Sequence, residues 1–135
     1  MRKSIKVLLI ILLVIAVLIA TGAIFMTTAT KNLTALAEMK ISDVDLSAVA
    51  DGTYEGEYSA FPVIAEVSVT VKDHKITRID LIKHFNGQGS AAEAIPGKVV
   101  EAQSLQVDAI SGATHSSKVI LLAIRDALTT AAAPK

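Results

Sequence analysis

The chain has 135 residues, 52% of them hydrophobic, with thirteen basic and thirteen acidic side chains and no cysteine. Without cysteine it has no disulfides, no iron–sulfur ligands and no lipobox-type lipid anchor, and an oxidising compartment does it no harm. The zero formal net charge hides two unlike parts: three basic residues precede a long apolar run, and ten basic against thirteen acidic residues follow it. The second part is therefore acidic and lacks the basic faces with interleaved aromatics that bind nucleic acid.

Residues 7–30 carry no charge, and Val7 to Met26 is almost wholly aliphatic. As a helix, twenty residues span about 30 Å, the thickness of a bilayer's hydrocarbon core. Residues 1–30 read as one transmembrane anchor. Arg2, Lys3 and Lys6 precede the apolar run, so the positive-inside rule predicts a single-pass cell-membrane protein whose domain after about Thr30 is extracytoplasmic. A cleaved signal peptide is the alternative, with Thr21-Gly22-Ala23 as the small-residue site; the length of the uncharged stretch favours the anchor.

Residues 31–50 form a linker in which no single period holds for long. Thr30 to Met39 can extend the anchor as a short helix. A flexible coil of this length would reach about 25 to 30 Å, but Ile41, Val44, Leu46 and Val49 imply that part of it packs.

Residues 51–135 read as the folded domain. Asp51-Gly52 is a turn pair, followed by a strand through Tyr54 to Ser59, and Pro62 interrupts. Val63 to Lys72 alternates, with Val67, Val69 and Val71 on one face and Glu66, Ser68, Thr70 and Lys72 on the other, the pattern of a half-buried antiparallel strand. Asp73-His74 supplies a tight turn, and Lys75 to Phe85 is the hairpin partner. A polar, glycine-containing loop, Asn86 to Ser90, follows. Ile95 to Ala102 predicts a short helix with Pro96 near its start, where the missing N–H is harmless. After an extended stretch, Leu105 to Asp108, a helix is expected from about Ser116 to Ala131, with Val119, Ile120, Ala123, Ile124, Ala127 and Leu128 on one face. The fold class is α+β: one small domain with an antiparallel hairpin or sheet packed against helices, preceded by one transmembrane helix.

Between the extended stretch and the last helix lies Asp108-Ala109-Ile110-Ser111-Gly112-Ala113-Thr114. Gly112 and Ala113 let backbone N–H groups approach a phosphodiester closely, and Gly112 tolerates positive φ. Orphan N–H groups and the positive end of the helix dipole stabilise an anion beside Thr114, by about 0.3 to 1 kcal/mol from the dipole. The plainer alternative is that Thr114, Ser116 or Ser117 is an ordinary N-cap.

This run resembles the flavinylation motif of the FMN-binding domain family, whose members include the covalent-flavin subunits of the sodium-pumping NADH:quinone reductase and of the Rnf electron-transport complex. The resemblance extends over the whole domain, from the Asp-Gly-Thr-Tyr opening through the hairpin and Gln103-Ser104 to the final helix, but only the motif is specific. It implies FMN held covalently as a phosphoester on Thr114, attached by a separate flavin transferase that uses FAD and a divalent metal and releases AMP. It further implies that Asp108 orients the turn or helps bind the metal-bearing donor, against the alternative of an Asx turn. Ser111 then bonds the phosphate or the turn backbone, and Ser117 is a cap or a phosphate ligand. Gly112 and Ala113 complete the cofactor-binding set.

His84 ends the hairpin before Asn86-Gly87-Gln88-Gly89. In the two complexes named, a histidine-led glycine loop approaches the flavin ring. This loop shares only its histidine and glycines, and the Glu-Thr-Pro of those subunits is missing; a surface histidine at a strand end is the competing reading. His74 lies in a turn, and His115 is expected to be solvated.

No His, Asp or Glu cluster has metal-ligand spacing, no Walker or G-x-S-x-G run occurs, and Asp108, His115 and Ser116 are too close along the chain for a hydrolase triad. The expected function is an electron carrier or redox subunit rather than a complete enzyme, exchanging electrons with donor and acceptor proteins or a quinone. The alternative is a non-catalytic, membrane-tethered binding or structural domain.

Overall fold

The computed structural model describes residues 2–85 and 90–133. The chain divides into two compact units, Met1–Asn32 and Leu33–Lys135. Helix α1 (Arg2–Glu38) begins in the first and ends in the second, so the expected extension of the anchor is one continuous helix. The large apolar side chains from Ile5 to Met26 are all at least 46% exposed, and the helix is long and apolar enough to cross a membrane. Within it the hydroxyls of Thr21, Thr27 and Thr28 donate to carbonyls three or four residues back. Polar groups satisfied inside their own helix are what a hydrocarbon environment requires.

The second unit is an α+β domain. Its sheet has three antiparallel strands in the order β1 (Gly52–Ala60), β2 (Val63–Lys72) and β3 (Lys75–Phe85). The β2 alternation gives the expected result: Val63, Ala65, Val67, Val69 and Val71 are buried, and the residues between them are half-exposed. Phe61 and Pro62, joined by a cis peptide bond, connect β1 to β2. Asp73 (φ 52°) and His74 (φ 59°) connect β2 to β3, and left-handed φ at both positions is the type I′ turn that matches strand twist. Asp51 braces this turn, its carboxylate accepting from the Asp73 N–H at 2.8 Å.

After a 3₁₀ turn (Ser90–Ala94) come α2 (Ile95–Ala102) and α3 (Thr114–Ala132). The loop expected at Asn86–Gly89 lies outside the described residues. Helix α3 crosses β1 and β2 and buries Val119, Ile120, Ala123, Ile124, Ala127 and Leu128, the face read from the sequence. The approach is close because Gly56 on β1 has no side chain: a Cβ there would lie 2.3 Å from the Ala123 carbonyl oxygen and 2.4 Å from the Ala127 nitrogen.

Helix α2 ends on Gln103 in the left-handed region, φ 52° and ψ 36°. A glycine usually takes that position. Here the Gln103 amide acts as a piece of strand, accepting from the Ile76 N–H at 2.8 Å and donating to the Ile76 and Val100 carbonyls. Those bonds offset the conformational cost.

The segment between α1 and β1 is docked on this domain. Leu36, Ile41 and Val49 join its core, and a 3₁₀ turn (Leu46–Ala48) is capped by Asp45.

Candidate functional site

Ile110 to Ala113 close a β-turn, the Ala113 N–H donating to the Ile110 carbonyl at 2.9 Å. Gly112, third in the turn, has φ +80°, the value a type II turn needs there. A side chain at Gly112 would meet nothing within 4 Å, so the turn's backbone is open on that side.

Ser117 holds the turn from below. It is fully buried, its hydroxyl accepts from the Ile110 N–H at 3.0 Å and donates to the Ala113 carbonyl at 2.7 Å. The two alternatives for this serine, cap or phosphate ligand, are joined by a third role: it ties both ends of the turn to the first turn of α3.

The plainer alternative, a hydroxyl N-cap, is not what the structure shows. The N-cap is Ala113, with no side-chain hydrogen bond, and the first intrahelical bond runs from the Ser117 N–H to the Ala113 carbonyl at 2.9 Å. Helix α3 therefore starts at Thr114, two residues before the expected Ser116. The N–H groups of Thr114, His115 and Ser116 have no acceptor among the described residues. Thr114 itself is exposed with its hydroxyl unbonded among the described residues, and Ser111 and Asp108 are exposed as well. His115, expected to be solvated, is half-buried.

Asp108 and Ala109 line a groove of about 500 Å³ together with Lys40, Gln106, Lys118 and Leu121. The preceding segment is fastened to this wall. Gln106 donates to the Ile41 carbonyl, Lys118 Nζ donates to the Met39 carbonyl at 2.7 Å, and Asp43 accepts from the Ser104 hydroxyl and the Leu105 N–H. Burial pushes the Asp43 carboxyl up, but hydrogen bonds from Leu105, Ser104 and Val44 outweigh it and hold the group below the usual carboxylate range. These contacts were not read from the sequence, since they join residues 61 to 79 positions apart. Lys118 alone carried a usable signal, its spacing of one helical turn from Thr114.

His84 is placed elsewhere. Its side chain is only 2% exposed, against the competing surface reading, and Nδ1 pairs with Oε1 of Glu93, in the Ser90–Ala94 turn, at 3.3 Å. It lines a second cleft, of about 350 Å³, with Asp80, Glu93 and Pro96. That 3₁₀ turn packs against α3, so His84 is linked to the motif helix through Glu93.

A model of the FMN-binding domain matches residues 64–129, a span that runs from β2 through the turn and nearly all of α3. This stretch belongs to the FMN-binding domain family. The residues present fit the cofactor's phosphate: uncapped amide N–H groups at a helix start, an open glycine at positive φ and an exposed hydroxyl form an anion-accepting, nucleophile-bearing set. FMN binding is thus the functional class of the domain.

Proposed function

We propose that this protein is a membrane-anchored, extracytoplasmic electron carrier with FMN esterified through its phosphate to Thr114. The supporting observation is the exposed Thr114 hydroxyl at the uncapped start of α3, next to a turn fixed by Ser117 and left open at Gly112. In attachment, the Thr114 oxygen attacks the FMN phosphorus of FAD held by a separate, metal-dependent transferase. The bond from that phosphorus to AMP breaks, AMP departs, and the hydroxyl proton passes to the surrounding water. The three free N–H groups then neutralise the phosphodiester charge, with Ser111 within the same turn as a further donor. Asp108 orients the turn during the transfer, and His84, paired with Glu93, is the further residue that the family's histidine-led loop offers to the flavin.

Bound flavin supplies reversible electron transfer, and attachment through the phosphate leaves its ring unaltered. The chain's own contribution is retention, orientation and electrostatic tuning. Retention matters outside the cytoplasm, where a dissociated cofactor would be lost. Electrons come from and go to partner proteins or a quinone in or at the membrane, which α1 is long and apolar enough to cross.

The test is the intact mass of denatured protein, co-expressed with a flavin transferase, with flavin fluorescence on a denaturing gel as the second readout. The expected result is one added FMN-phosphoryl group in the wild type and in Thr114→Ser, and none in Thr114→Ala. Unmodified wild-type mass in the presence of active transferase refutes the proposal, and retained flavin in Thr114→Ala places the ester on another residue.

A further inference from the structure

We infer that the open edge of β1 docks an extended, basic segment of a partner protein, which joins the sheet as a fourth strand beside α3. The two edges of the sheet differ. On β3 the Gln103 amide stands in for a neighbouring strand, accepting from the Ile76 N–H and donating to the Ile76 carbonyl. On β1 the stand-in is the Asp126 carboxylate of α3, which accepts from the Glu57 N–H at 3.1 Å. A carboxylate has no proton to give back, so the Glu57 carbonyl has no donor among the described residues. Backbone groups alternate in direction along an antiparallel strand, and the Glu57 N–H points away from β2. The N–H and C=O groups of Thr53, Glu55 and Ser59 therefore point the same way, and nothing among the described residues bonds them. This row, about 20 Å long, is a template for one more strand.

Charge selects the occupant. Glu55 and Glu57 are exposed, Glu57 stands directly across from Glu66 on β2, and none of the three has an ion pair among the described residues. Lys83 stands across from Glu66 on β3 but closes no bridge to it. Like charges directly opposite one another are unfavourable, and lysine or arginine at alternate positions of an added strand sits beside Glu55 and Glu57 and relieves them. The same charges oppose a second copy of this chain. A two-fold antiparallel pairing of β1 centred on Gly56 sets Glu55 against Glu57 at both ends, and one centred on Glu55 sets that residue against itself. Between its basic positions the added strand turns its side chains toward α3. Two clefts of about 230 and 200 Å³ meet there at Asp126, and the larger is lined by Tyr58 and the buried Leu122, which suits an apolar side chain such as valine. As a carbonyl of the incoming strand takes over the Glu57 N–H, the Asp126 carboxylate is released to accept from a cation.

The test uses the full-length protein in an uncharged detergent and a dye-labelled peptide of alternating lysine and valine, about the length of an ordinary strand, read by fluorescence anisotropy. Two control peptides accompany it. One is N-methylated at the amides that face β1, which keeps its charge but removes its strand bonds, and the other has glutamate in place of lysine. The wild type should bind the lysine peptide and lose about tenfold or more in affinity for the N-methylated form. Glu55→Lys, a change at an exposed site, should weaken the lysine peptide by about tenfold and turn preference to the glutamate peptide. With the lysine peptide bound, amide hydrogen exchange at Glu55 and Ser59 should slow, while the Ile76 amide, already held by Gln103, should be unchanged.

Absence of binding, equal affinity for the N-methylated peptide, or an affinity that Glu55→Lys leaves unchanged overturns the inference. So does a dimeric mass by light scattering with the Glu55 amide already protected in the protein alone, which gives the edge to a second copy. None of these outcomes depends on flavin at Thr114, so the edge and the attachment stand or fall separately.

Discussion

Gly56→Ala tests the packing that carries the turn before Thr114. The added Cβ would lie 2.3 Å from the Ala123 carbonyl oxygen, 2.4 Å from the Ala127 nitrogen and 2.8 Å from the Ala127 Cβ. Carbon atoms prefer contacts of about 3.5 to 4.0 Å, so strand and helix must separate by about 1 Å. The obstructing atoms are mostly helix backbone and cannot turn aside as a side chain would. Overpacking costs about 1 to 3 kcal/mol, and rigid backbone on one side puts this case at about 3 kcal/mol. Against about 5 to 15 kcal/mol for a domain of this size, that is a large share. It corresponds to a fall in Tm of about 12 to 24 °C, at about 4 to 8 °C per kcal/mol. The chain has no tryptophan and only two tyrosines, Tyr54 and Tyr58, which flank Gly56 on β1. Tyrosine emission of the full-length Thr114→Ala protein in detergent, free of flavin, therefore reports the melting of this contact and not of α1. Gly97→Ala is the control: its Cβ meets nothing within 4 Å, it lies inside α2, and removing a helical glycine should stabilise by about 0.5 to 1 kcal/mol. A Gly56→Ala Tm within a few degrees of the parent would show that β1 and α3 are not packed as described.

Gly112→Ala isolates the turn's conformation, since the site has room and only φ +80° opposes a side chain; a loss of about 1 to 2 kcal/mol in chemical denaturation is expected. Gly112→Val adds bulk over the amides and should also abolish covalent flavin on a denaturing gel. Thr114→Ala should change stability by less than about 0.5 kcal/mol, because Thr114 caps nothing. Asp43 is held below its ordinary pKa in the folded state, so its stabilisation is full above about pH 4 and is lost as pH falls through the depressed value. Asp43→Asn should therefore lower Tm at pH 7 by about 4 to 8 °C, about 1 kcal/mol for so exposed a carboxylate, and the gap to wild type should close as pH falls through that depressed value. Protease added to intact spheroplasts should remove the domain while α1 stays in the membrane, as the basic residues before it predict; a protected domain would reverse the topology.

Much of the fold was written in local pattern. Strict alternation from Val63 to Lys72 and the turn pair Asp73-His74 define the second hairpin to the residue, and Pro96 marks the start of α2. Helix α1 runs eight residues past Thr30, the extension read from the sequence, but that Leu36 near its end joins the domain core has a tertiary reason that no hydropathy window contains. The motif was legible as composition, yet not as geometry. That Ser117 would tie back to Ile110 depends on how the helix folds under its own turn, and that Asp43 would accept from Leu105 depends on a contact across the fold. His84 was misjudged for the same reason, since its partner Glu93 lies beyond the loop.

Under the proposed attachment, the Ser117 hydroxyl also has a meaning for the enzyme that would modify Thr114. A residue that is modified by another enzyme is that enzyme's substrate, and most such substrates are loose peptides that must be ordered as they bind. Here both ends of the turn are already stitched to a buried hydroxyl, so the transferase would receive Thr114 with its ordering entropy lost during folding instead of on encounter. If FMN is loaded there as proposed, the same stitching would narrow the range of distances at which the cofactor could face a redox partner.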